Sequence, residues 1–292
     1  MSAYRFCRTD DIGLLVEALN RCWCPYFPDE EPMTPAAFKR SIRDLQVWCS
    51  SCMVAFSDSE PIGVLIGAKR PSATLVHKIA VHPDHCRQGH AHHMLASLGS
   101  KLAILGPPRI VAEVPDANAP ARGLFAASGY VPEAVLTDYV LSWDANSREH
   151  GDGAPVEGFV IPVTIDDLAA NGLLGDADRA AGVACWQRSV ETLRARKDEV
   201  SGLAVASDER IEAYLLYVER GGGEGEIVAF RSLVEDGTAR LAELLSRLRA
   251  GAMKTVRFAK VAATEIEGGW LETLGFSRTG DHSLYAATAR SQ

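Results

Sequence analysis

Apolar residues in DDIGLLVEALNRCW (10–23) recur at helical spacing behind an acidic start, which predicts a helix. TPAAFKRSIRDL predicts a second, with Thr34 as N-cap and Pro35 at the first helical position. VWCSSCMVAF (47–56) and PIGVLIGAKR read as strands joined by the polar turn SDSE. ATLVHKIAV (73–81) is a further strand, and a long helix follows over residues 89–105. RIVAEV (109–114) reads as a strand and APARGLFAAS (119–128) as a helix ended by Gly129. More strands follow in YVPEAVLTDYVLSW.

The pattern then breaks. DANSREHGDGAP (144–155) is polar, glycine-bearing and unpatterned, as a linker is. Beyond it the same order returns. TIDDLAANGLL and CWQRSVETLRAR predict helices, and SGLAVAS, IEAYLLYVER and EIVAFRSLV predict strands. A helix at TARLAELLSRLRAG (238–251), a strand at TVRFAKVAA, a short helix ending WLETLGF and a strand at DHSLYAATA complete the series. LFAASGY (124–130) and WLETLGF (270–276) end their helices alike, and 67 residues separate Ile62 from Gly129 where 64 separate Ile211 from Gly275. An internal duplication follows. The expected organisation is an α+β domain over 1–145, a linker over 146–157 and a second α+β domain over 158–292.

Composition narrows the function. Of 292 residues, 47% are hydrophobic and 23% charged, enough for two cores. No apolar run is long enough to span a membrane, and MSAYRFCRTDD lacks a signal peptide's basic and apolar regions, so a cytoplasmic location is expected. A net charge of −8 disfavours nucleic acid and favours a neutral or cationic small partner. Whether the chain is a monomer or a homodimer is left open. The seven cysteines are an odd number, which argues against a disulfide framework. Cys22, Cys24, Cys49 and Cys52 have a zinc-like spacing, but a strand over 47–56 would point Cys49 and Cys52 to opposite faces. Small buried hydrophobes are the expected role.

VHPDHCRQGHAHHML (81–95) holds the densest chemistry. A β-branched run ends at His82-Pro83, and Gly89 starts a helix with Ala91 in its first turn. Small residues there admit a ligand close to the backbone. The helix N-terminus offers unpaired N–H groups, and Arg87 adds a cation, a combination suited to a pyrophosphate. His82, His85, His90, His92 and His93 point in dispersed directions, so no metal is expected. Histidines beside a phosphate are favoured in their charged form.

Val81-His82-Pro83-Asp84-His85-Cys86-Arg87-Gln88-Gly89-His90-Ala91 resembles the phosphate loop of the GNAT superfamily of acyl-CoA-dependent N-acyltransferases, V-x-P-x-x-[RQ]-x-x-G-x-[GA]. Asn118, Ala121, Leu124, Phe125, Gly129 and Tyr130 resemble the superfamily's downstream signature. The resemblance covers residues 3–143. In the second half, element order and LETLGF carry it. It implies two tandem GNAT-like domains, each a mixed, mostly antiparallel twisted sheet flanked by helices. Acetyl-CoA is implied as co-substrate, and a primary amine of a small molecule or peptide as acceptor. Ile79, Ala80 and Val81 would line the acyl-pantetheine, and Arg87, Gln88, Gly89, His90, Ala91 and His92 the pyrophosphate. Asn118 and Phe125 would lie beside the cofactor. Glu113 is the expected general base, at an offset where several amine-acetylating relatives carry a glutamate, with His77 and His82 as rivals. Cys86 stands where relatives usually have Arg or Gln. Phe125 stands where the usual tyrosine acid would be, so Tyr130, Tyr139 or water must supply that proton. The second half has Glu235 and Asp236 before Gly237, which would repel a pyrophosphate, so it is expected to be degenerate. Two other functions fit parts of the chain: a catalytically idle acyl-CoA-binding sensor or scaffold, and a zinc-binding interaction protein.

Overall fold

The structure is a computed structural model that describes residues 2–143, 159–174 and 185–290. The expected linker, 146–157, and residue 158, the expected start of the second domain, lie outside the described residues. The chain divides into two compact units, 1–134 with 283–292 and 135–282.

In the first unit, β1 (Ser2–Phe6), β2 (Met53–Ser57), β3 (Glu60–Lys69) and β4 (Thr74–Val81) form an antiparallel run. β5 (Arg109–Pro115) joins β4 in parallel. The far side of β5 is taken by β12 (Ser277–Thr288), whose residues from Ser283 onward belong to this unit. α1 (Ile12–Cys22) and α2 (Pro35–Leu45) precede β2 in the chain, and α1 packs on β3 and β4. Thr34 caps α2 as expected, its Oγ1 accepting from Ala37 N at 3.1 Å. α3 (His90–Leu105) and α4 (Ala119–Ala127) cover a core of Met53, Leu65, Met94, Leu98, Phe125 and Tyr285.

The stretch 47–56 is not one strand. Cys49–Ser51 is a 3-10 turn, and β2 begins at Met53. The turn lies hard against β3: a Cβ on Gly67 would sit 2.4 Å from the Ser51 carbonyl oxygen. Cys52 Sγ donates to the Trp48 carbonyl inside the turn (3.3 Å). The apolar composition that suggested a strand serves a buried turn instead.

The second unit repeats the order. β7 (Phe159–Val163), α5 (Ile165–Ala170) and α6 (Val190–Ala195) precede β8 (Ser201–Ala206), β9 (Ile211–Gly221) and β10 (Glu224–Ser232). α7 (Gly237–Ala250), β11 (Thr255–Ala262) and α8 (Gly268–Thr273) follow. Its strand order is β6-β11-β10-β9-β8-β7, where β6 (Val131–Ser142) is one continuous strand entering the unit at Val135. Only part of CWQRSVETLRAR is α-helix, since Trp186–Arg188 forms a 3-10 turn. Gly129 and Gly275 both have positive φ after their helices, at +81° and +90°, as the repeated pattern requires.

Candidate active site

β4 and β5 are paired only at Thr74–Ile110 and Leu75–Val111. Beyond those residues they part. A bulge adds to the divergence: Ile66 faces Lys78 and Gly67 faces Val76, so His77 is an extra residue on β4. Ile79, Ala80 and Val81, still paired with β3, therefore lie beyond the section of β4 that pairs with β5. Tyr26 Oη donates to the Val81 carbonyl (2.8 Å) and lies 3.0 Å from Cys86 Sγ. Part of Val81's backbone is thus already engaged, by a residue with no sequence signal.

The turn after β4 opens the helix. Arg87 (φ +60°) and Gly89 (φ +85°) both adopt left-handed geometry. Gly89 is the N-cap of α3, no side chain caps that end, and a Cβ on Gly89 would meet nothing within 4 Å. Arg87, Gln88 and Gly89 are exposed. An uncapped helix end with free space at its first residue is the kind of place where an anion can approach the backbone.

The histidines divide. His90 is buried, its Nδ1 2.6 Å from Tyr4 Oη, and its Nε2 is enclosed without a hydrogen-bond partner. Its ring therefore packs between Tyr4 of β1 and His85 of the turn, whose ring lies 6.5 Å away. Burial first, then His85 and His93, holds its imidazole below the usual range, against the charged form expected for this group. Ala91 is half-buried, and His92 is exposed with Nδ1 3.1 Å from Ser128 Oγ. Among the described residues, no cluster of three or more His, Cys, Asp or Glu could hold a metal ion.

On β5, Ala112 and Val114 pack into the core with α3 and α4. Alternation then turns Glu113, half-buried, to the other face. Lys78 lies on that face, its Nζ 4.0 Å above the Trp23 ring. Asn118 Oδ1 accepts from Ala121 N (3.1 Å), so this side chain caps α4. Phe125 is buried, with Tyr130 edge-on at 5.1 Å and Tyr285 nearly parallel at 6.0 Å. Burial raises the Tyr130 phenol, which keeps it protonated. Tyr139 belongs to the core of the second unit, packed with Phe258 and Leu271. Tyr285, 160 positions after Phe125, was not foreseen.

Residues 15–130 match the acetyltransferase (GNAT) family. This stretch of the chain is a GNAT family domain. A tandem GNAT protein from the clavulanic acid biosynthesis pathway has the same fold over the whole chain, at 14% identity, 100% coverage of both chains and TM-score 0.65. GCN5-related N-acetyltransferases from Sphaerobacter thermophilus (14% identity, 99% and 96% coverage, TM-score 0.63) and Kribbella flavida (13%, 99% and 71%, TM-score 0.64) are also similar in fold. No curated protein matches it in sequence. The GNAT family carries acyl-CoA-dependent acyltransferase activity in general. No helix among the described residues is long and apolar enough to cross a membrane.

The second GNAT-like unit also parts its parallel strands, since β10 and β11 pair only from Glu224–Thr255 to Glu226–Arg257. Its helix end differs. Asp236 caps α7, its Oδ1 accepting from Ala239 N (3.3 Å). A Cβ on Gly237 would lie 3.1 Å from the side chains of both Ser232 and Trp270. Arg188, buried, donates to the Lys260 carbonyl (2.8 Å), forms a two-pronged ion pair with Glu265 and stacks 4.8 Å over Phe258. A protein cation thus occupies β11 past its paired section.

Proposed function

We propose that the first unit transfers an acetyl group from acetyl-CoA to a primary amine of a small molecule or peptide, and that the second unit binds no CoA. The observation that carries the reading is the uncapped α3 end, with its positive-φ turn, beside a β4 that has left β5. The turn would take the pyrophosphate through the N–H groups of residues 89–92, with Arg87 as counter-charge. Ile79 and Ala80 would lie along the acyl-pantetheine. Glu113 faces away from the α3–α4 core, the side from which an acceptor would come, and would take the amine proton directly or through water; His77, in the bulge, is the rival base. The negative net charge suits an amine and not a nucleic acid.

A second reading, an idle acyl-CoA sensor, draws on Phe125 and on Cys86, which relatives replace with a donor-bearing side chain. Turnover separates the two. Calorimetric titration of the full chain should saturate near one acetyl-CoA, and Gly89→Glu should abolish binding by placing bulk and negative charge in the turn. Over a panel of amines, amino acids, peptides and aminoglycosides, at least one should be acetylated. Glu113→Gln should then slow the reaction by roughly 10²-fold at neutral pH. Binding of two equivalents would overturn the reading of the second unit, and binding without turnover on any acceptor would favour the sensor.

A further inference from the structure

A departing thiolate needs a proton, and Phe125 has none to give. Tyr130 and Tyr285 both flank its ring, and their heights along the cleft tell them apart. β12 lies next to β5 in the first unit. Ser283 Oγ donates to Asp116 Oδ1 (2.6 Å), and Ala289 N donates to the Pro108 carbonyl (2.5 Å), so the two strands run antiparallel. Counting inward from those two contacts sets Tyr285 opposite the stretch from Ala112 to Val114. That is past Val111, the last β5 residue paired with β4, and so alongside the open section. Tyr130 follows Gly129 and lines a groove of about 400 Å³ with Ile110, Gly99 and Thr288. Ile110 still pairs with β4, which puts Tyr130 below the opening. The Tyr285 side chain shares its cluster with Phe125, Val114 and Ile79, on the face covered by α3 and α4.

We propose that Tyr285, carried by the last strand of the chain, donates the proton to the departing CoA sulfur in place of the tyrosine missing at position 125. The proposal rests on the acetyl-transfer reading. As the amine nitrogen bonds to the thioester carbonyl carbon, the C–S bond breaks and its electron pair stays on sulfur. The Tyr285 O–H proton passes to that sulfur. The amine's surplus proton goes to Glu113 or water, and solvent reprotonates the phenolate.

Tyr285→Phe keeps the ring and removes only the hydroxyl. It should lower kcat by about 10²-fold while the acceptor KM stays unchanged. Calorimetry should show an unchanged affinity for acetyl-CoA and an affinity for free CoA weakened about five-fold, the scale of one lost hydrogen bond. Adding Phe125→Tyr to Tyr285→Phe should restore most of kcat, which a structural role for Tyr285 would not allow. Full kcat in Tyr285→Phe, or a comparable loss in Tyr130→Phe instead, would overturn the assignment. If the unaltered protein acetylates nothing, the transferase reading fails; the CoA affinities then still decide whether Tyr285 meets the sulfur.

Discussion

The imidazole of His90 is enclosed by Tyr4 from β1 and by His85 and His93 from its own loop and helix, with no carboxylate among these neighbours. Its pKa is lowered from 6.5, so the folded protein holds this group neutral where the unfolded chain would protonate it. The stability this contributes is present above about pH 6.5 and is lost as pH falls through the lowered folded value. The melting temperature should therefore drop between pH 7.5 and pH 5.5, and His90→Gln should flatten that drop while lowering stability at pH 7.5. Parallel pH curves for the two proteins would show that His90 does not titrate with folding. The same residue shows how a motif position can mislead: its backbone belongs to the turn that opens α3, while its ring packs against Tyr4 of β1.

The connection between α1 and α2 behaves as a wall fixed to β4. Asn20 closes its base with reciprocal hydrogen bonds to Met33, 2.9 Å to the carbonyl and 2.7 Å from the N–H. Trp23 and Phe27 stack at 4.4 Å, and Trp23 Nε1 donates to Glu30 (2.9 Å). Lys78 Nζ sits over the Trp23 ring and 3.2 Å from Glu30 Oε2, which ties the wall to β4 just after the bulge. Tyr26 ties it again at Val81. A partly exposed cation–π contact contributes about 0.5–1 kcal/mol, enough to order a loop and too little to hold a fold. Lys78→Met should raise the acceptor KM several-fold, leave acetyl-CoA affinity unchanged and speed proteolysis between residues 23 and 33. A weakened acetyl-CoA affinity with an unchanged acceptor KM would assign this wall to the cofactor instead.

At the scale of the whole molecule, the first unit ends with residues that come last in the chain. Tyr285 lies in its core at 7% exposure, and removing a buried aromatic costs roughly 3–5 kcal/mol. That is a large part of a typical domain's stability. A fragment of residues 1–145, the domain that a linear reading would cut out, lacks this strand. It should show no cooperative unfolding transition and bind no acetyl-CoA, whereas the full chain should do both. A fragment that binds acetyl-CoA with the full chain's affinity would show that residues 283–292 are dispensable to the first unit.

What the sequence determined by itself was local. The run from Val81 to Ala91 writes its own turn, because left-handed backbone at a glycine and a free helix end are properties of a dozen adjacent residues. Thr34 as a cap, the glycines after the two short helices and the repeated element order were legible for the same reason, since each depends on near neighbours in the chain. Tertiary structure decided the rest. The edge of β5 is satisfied by whichever strand reaches it, and nothing in LYAATA says that this edge lies at residues 109–115, far upstream of Tyr285. Whether His90 titrates in water or stays neutral depends on Tyr4, 86 residues earlier. Cys49 and Ser51 form a turn rather than a strand through the close approach of Gly67 across the sheet. Which tyrosine can stand in for the hydroxyl missing at Phe125 depends on the register of two strands that no local pattern connects, because sheet pairing joins residues by space and not by sequence.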